Sequence, residues 1–144
     1  MVYFEIEKLT RVFLPIASFA GVVFLFLYLG KYGMGFNEIL GTLTTLIGYL
    51  FWFLSRYYLG KAYALLPEAR YVVSDGIYSK IRHPLYISQM ITLGGIIIFI
   101  ENPKLWWLFL FVLLCQLYRK SQEEKLLIKK FVIKYTDYMK STWF

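Results

Sequence analysis

Apolar positions in this chain fall into four long runs. They cover residues 12–30, 39–58, 84–100 and 104–118. A helix needs about 20 apolar residues to cross the hydrocarbon core of a bilayer. The first two runs read as complete spans. The last two are shorter and read as a membrane hairpin that returns the chain to the side it left. Gly33-Met34-Gly35 separates the first pair, and Glu101-Asn102-Pro103 separates the second, with Pro placed to open a helix. Residues 60–82 form a mixed polar loop. Beyond Tyr118, Leu127, Phe131, Tyr135 and Tyr138 recur at spacings of four, four and three, so they share one helical face. Lys125, Lys129, Lys130 and Lys134 cover much of the rest, which predicts an amphipathic helix over residues 119–140 lying at a membrane surface. The expected fold is an all-α integral membrane protein. It has about four transmembrane helices, a cytosolic loop, and a C-terminal interfacial helix, in one membrane domain over residues 1–144.

Composition strengthens this picture. The chain is 59% hydrophobic and 21% aromatic, against roughly 45–50% apolar in a soluble domain. The formal net charge of +7 suits an anionic lipid surface. No basic stripe on a soluble fold points to nucleic acid. Four crossings put both chain ends and the polar loop on one side. That side carries fourteen Lys and Arg, against Lys31 and Lys104 on the other. The positive-inside rule therefore predicts cytoplasmic termini and, for a prokaryotic chain, the cell membrane. The first run is too long for a cleaved signal core and reads as a retained helix. The single cysteine, Cys115, excludes an intrachain disulfide. Aromatic outer faces are compatible with a homodimer.

The polar groups that could do chemistry gather on the same side. The only histidine, His83, precedes Pro84 at the start of the third run. A helix beginning there turns its free amides and positive dipole end toward the loop, a seat for a carboxylate. Arg119 and Glu123 stand four apart on one helical face, with Glu124 beside them. Such a trio holds an acid with the arginine and an ammonium with a glutamate, or forms a plain surface ion pair. There is no Gly-rich phosphate loop, GxGxxG, HExxH or nucleophile elbow, and no strand–helix alternation for a nucleotide-binding sheet. One His and one Cys make no metal site.

These segments together resemble the isoprenylcysteine carboxyl methyltransferase and phospholipid methyltransferase superfamily, in its compact prokaryotic form. The resemblance covers residues 58–138. It begins at Leu59-Gly60-Lys61 and runs through Tyr71-Val72-Val73-Ser74-Asp75-Gly76-Ile77-Tyr78. Arg82-His83-Pro84-Leu85-Tyr86 is similar to the family's Arg-His-Pro-x-Tyr, and Glu123-Glu124-x-x-Leu127 to its paired glutamates. Phe131, Tyr135 and Tyr138 are similar to its Phe-x-x-x-Tyr-x-x-Tyr ending. Ser88 and Val132 stand where relatives often carry Gly.

The resemblance implies a helical membrane enzyme that binds S-adenosyl-L-methionine. Arg70, Tyr71, Val72, Val73 and Tyr78 would line the cofactor site from the loop, and His83, Pro84, Leu85 and Tyr86 from the third helix. Glu123 would meet the cofactor's charged amino-acid end. Arg119 would face the acidic group of the substrate, and Glu124 or Tyr86 would help an amine acceptor lose its proton. The expected acceptor is the carboxylate of a prenylated cysteine or a similar isoprenoid acid. A phosphatidylethanolamine-type amine is the alternative. Two other classes are a reductase using NADPH and a non-enzymatic membrane scaffold. Cofactor binding separates all three.

Overall fold

The computed structural model describes residues 20, 21, 23, 24, 27, 28, 31, 35–60 and 72–143. Arg70, Tyr71 and much of the first expected span lie outside the described residues. All regular structure among the described residues is helical. It comprises α1 (Phe36–Leu59), a 3₁₀ turn (Gly76–Ser79), α2 (Pro84–Ile100), α3 (Leu105–Lys130) and α4 (Val132–Ser141). The described residues between 20 and 31 are helical too, and Tyr28 meets Phe99 of α2 edge-on with ring centroids 6.0 Å apart.

Helices α1 and α2 run antiparallel and pack along their length. Their contact is built from small residues. A Cβ added at Gly41 would lie 2.6 Å from the backbone nitrogen of Phe99, one at Gly48 2.5 Å from that of Thr92, and one at Gly95 2.5 Å from that of Thr45. Such close backbone approach is how helices associate where lipid leaves no hydrophobic drive between them. The hydroxyls on this face turn inward. Thr45 donates to the Gly41 carbonyl at 2.8 Å, Ser55 to Phe51 at 2.6 Å and Thr92 to Ser88 at 2.9 Å. Each hydroxyl is thereby satisfied without water.

The outer faces show the opposite pattern. Leu43, Ile47, Leu50 and Phe53 on α1, and Trp107, Phe111, Leu114 and Tyr118 on α3, are exposed. Among the described residues, α1, at 24 residues, is the one helix long and apolar enough to cross a membrane. The apolar α2 has 17.

Pro84 sits at the first position of α2, where it loses no hydrogen bond. The helix ends at Glu101, in the left-handed region at φ 58°. The Asn102 side chain then accepts from the Lys104 amide at 3.0 Å and α3 begins. The fourth apolar run and the segment expected as a separate helix from 119 are one continuous rod to Lys130.

The rod breaks at Phe131 (φ −126°, ψ 46°), and α4 folds back. The apolar stripe expected to lie on the membrane surface closes instead on the loop. Tyr135, Tyr138 and Val72 form a buried cluster, with Leu127, Phe131 and Met139 packed around it. The Tyr138 hydroxyl donates to the Tyr78 carbonyl at 2.7 Å, and the Trp143 amide to the Lys80 carbonyl at 2.9 Å. Burying these side chains against protein also satisfies loop carbonyls. Gly76, at φ +58°, lies against the Tyr58 ring, and no larger residue fits there.

Candidate functional site

At one end of the α2–α3 hairpin, helix starts, loop and α4 converge. Neighbours Glu123 and Glu124 on α3 hold different partners. Glu124 Oε1 accepts from His83 Nε2 at 3.0 Å and lies 3.5 Å from Arg82 Nη1. Since a carboxylate oxygen can only accept, this contact fixes the proton on Nε2 of a neutral His83. Burial pushes the His83 pKa below that of an ordinary histidine, against the pull of Glu124. Glu123 Oε1 lies 3.5 Å from Arg119 Nε, and the Tyr86 hydroxyl also bonds to Glu123. Here burial wins again: it raises the Glu123 pKa above that of an ordinary glutamate, against the lowering effect of Tyr86 and Arg119.

Tyr86 links the two halves. Its ring stacks on His83 with centroids 5.7 Å apart and planes 17° from parallel, and the Arg119 guanidinium carbon sits 5.9 Å from the ring centroid. The arrangement makes one cluster from two helices: two carboxylates, two guanidinium groups, an imidazole and a phenol.

Three buried polar atoms beside it have no hydrogen-bond partner: the Tyr78 hydroxyl, the Tyr135 hydroxyl and Arg82 Nε. Both tyrosines are nearly inaccessible, at 5% and 2% exposure. Both also interact electrostatically with Glu123. A buried polar atom left unpaired costs about 1–3 kcal/mol, so these three groups stand out beside the cluster.

A second feature opens from the same place. A groove of about 410 Å³ runs between α2 and α3, with Thr44 of α1 on one side. His83, Tyr86 and Lys120 line one end; Ile98 and Trp106 line the other. Between them the walls are apolar apart from Gln116, whose amide donates to Gln89 at 2.6 Å. The groove exists because α2 and α3 diverge, in contrast to the tight α1–α2 pair.

The structure thus brings together Tyr78, His83, Tyr86, Arg119, Glu123 and Glu124. Pro84 is fully buried at the helix start, with Leu85 half-buried beside it. Val72 belongs to the α4 cluster, and Val73 is half-buried on the loop. Sequence reasoning assigned no role to Arg82, Lys120, Tyr135 or Tyr138. Arg82 was visible only as part of the resemblance, and the two tyrosines also as members of a helical stripe that reads equally well as a surface helix. Among the described residues, no group of three His, Cys, Asp or Glu side chains could hold a metal.

No curated protein and no solved structure matches the chain. Residues 36–133, more than half of the chain and including α1, α2 and the paired glutamates, match the phospholipid methyltransferase family. The chain therefore belongs to this family, within the isoprenylcysteine and phospholipid methyltransferase superfamily.

Proposed function

We propose that this chain is an integral membrane methyltransferase that uses S-adenosyl-L-methionine at the cytosolic face. Its acceptor is the carboxylate of a single-tailed isoprenoid acid such as a prenylated cysteine. The observation that carries the reading is the junction of a half-buried, charge-paired polar cluster with an apolar groove that starts at the same residues, His83 and Tyr86. Few ligands other than an amphiphile present a charged head and a long apolar body to such a site.

The cluster fits the cofactor. The cofactor, when bound, supplies a methyl group already activated on a sulfonium. Glu123 would meet its ammonium, and the start of α2 beside His83 would receive its carboxylate. The unpaired Tyr78 and Tyr135 hydroxyls and Arg82 Nε supply the remaining polar contacts. Arg119 and Lys120 hold the acidic end of the acceptor at the groove mouth. A carboxylate needs no general base, so the protein's work is alignment and the exclusion of water. The α4 cluster provides that exclusion over the loop.

The exposed apolar faces of α1 and α3 support a membrane placement. Helix α2 spans about 25 Å, a little under the ~30 Å hydrocarbon core. The charged half of α3 then projects into the cytosol beyond it.

A phospholipid amine is the second reading, favoured by the family matched. An amine must lose a proton, and the carboxylates nearest the groove mouth are already engaged: Glu124 by His83 and Arg82, Glu123 by Arg119 and Tyr86. The groove volume also sits near the low end of the roughly 300–1,000 Å³ of ligand pockets, room for one tail rather than two.

Calorimetric titration of detergent-purified protein with S-adenosylmethionine and S-adenosylhomocysteine is the first test. Micromolar binding that is lost in both His83→Ala and Glu123→Ala is expected. Well-folded wild-type protein that binds neither compound, with or without a prenylcysteine analogue, would falsify the methyltransferase reading. Acceptor screening then separates prenyl acids from lipid amines.

A further inference from the structure

We infer that Gly94 sets the length of tail the groove accepts, by leaving it open past the middle of the bilayer. The inference rests on the lipid-substrate reading of the same site. The groove wall runs from His83, at the start of α2, to Ile98, fifteen helical steps or about 22 Å. Gly94 lies eleven residues along, at about 16 Å, close to one leaflet's depth in a core of ~30 Å.

Across from it stands Phe109, which meets Trp106 edge-to-face at 5.4 Å near the far end. A Cβ at position 94 would meet only Phe109 Cε2, at 3.6 Å, an ordinary contact. The position therefore tolerates a side chain sterically, and that side chain would enter the groove. Its neighbour Gly95 faces α1 and has no such room.

The charge distribution names the occupant. Cationic and polar side chains stand at the His83–Lys120 mouth, and the far end is apolar. The chemistry that fits is an amphiphile with one anionic head and one tail longer than a leaflet. A leucine at position 94 would leave the mouth and first stretch intact and cut the usable depth to about 16 Å.

The test has two arms, both in nanodiscs. In the first, wild type, Gly94→Ala and Gly94→Leu methylate cysteine acceptors bearing geranyl, farnesyl and geranylgeranyl tails. The expected result is a geranylgeranyl-to-geranyl ratio of kcat/KM that drops at least tenfold in Gly94→Leu and less in Gly94→Ala. An unchanged ratio overturns the inference. The second arm needs no turnover. A geranylgeranylcysteine analogue with a diazirine at the tail end is photolysed, and its adducts are mapped by mass spectrometry. Adducts on Trp106 or Ile98 in wild type that vanish in Gly94→Leu support the inference. Adducts that never reach those residues, or that persist in the variant, overturn it. If no acceptor turns over, the prenyl-acid reading falls and the second arm alone decides the groove.

Discussion

Glu123 and Glu124 are adjacent in sequence but hold different partners. Glu124 is held by His83 and Arg82, so it orients the imidazole at the helix start. Glu123 faces Tyr86 and Arg119, beside the unpaired tyrosine hydroxyls. Burial raises the Glu123 pKa, so donor binding that needs its negative charge should weaken as pH falls, beginning above the range of an ordinary glutamate. Calorimetry across pH should show this acid loss in wild type; Glu123→Gln should bind poorly at every pH.

Stability carries the same two shifts with opposite signs. Burial lowers the His83 pKa, so below 6.5 the unfolded chain takes up a proton the native state refuses, and stability falls as pH falls. The raised Glu123 pKa works the other way, with its contribution lost as pH rises through the folded value. Melting curves across pH should therefore show His83→Gln relieved of acid destabilisation, and Glu123→Gln relieved of destabilisation toward neutral pH. Identical profiles in both variants would contradict the assignment.

At the scale of elements, α1 and α2 form a rigid pair and α2 and α3 a loose one. Gly95 and Gly94 are neighbours on α2 that face these two environments. Gly95→Leu must push α1 away from α2, at a cost of about 1–3 kcal/mol or more. In Gly94→Leu the Cβ meets only an ordinary contact, and the longer side chain extends toward the groove. The melting temperature should fall clearly in the first and little in the second, and equal losses would show that the α2–α3 groove is packed shut. The third element, α4, is held by Tyr138 on the loop. Tyr138→Phe removes one buried hydrogen bond worth about 1 kcal/mol. Donor affinity should drop through the displaced Tyr78, while Tyr138→Trp should not restore it.

At the scale of the whole molecule, the proposed membrane orientation rests on the distribution of charge along the chain. Polar turns alternate with apolar helices, and Ser79 in the loop and Asn102 in the α2–α3 turn are both exposed. In a Cys115→Ser background, a cysteine at position 102 should react with an impermeant maleimide on intact cells. One at position 79 should react only after lysis. The reverse pattern would invert the proposed orientation.

Helices α1 and α2 and the start of α3 were legible in the sequence because each is a long unbroken apolar run between polar turns, and length alone then bounds it. The grouping of polar residues was partly legible too: Arg82-His83-Pro84 and the glutamate pair sit where apolar runs meet charged ones. Which glutamate holds which partner could not be read, because it depends on the rotation of α3 against α2. The fate of the Leu127–Tyr138 stripe was equally hidden, since an apolar face at helical spacing serves a membrane surface and a protein surface alike. Only the break at Phe131 and the return of α4 onto Val72 decide between them. The groove is a property of two helices diverging, and no single stretch of sequence encodes a space between helices. The sequence by itself determined which residues are apolar and where charge collects. The tertiary structure alone decided which of those charges meet, because that depends on distances across the fold.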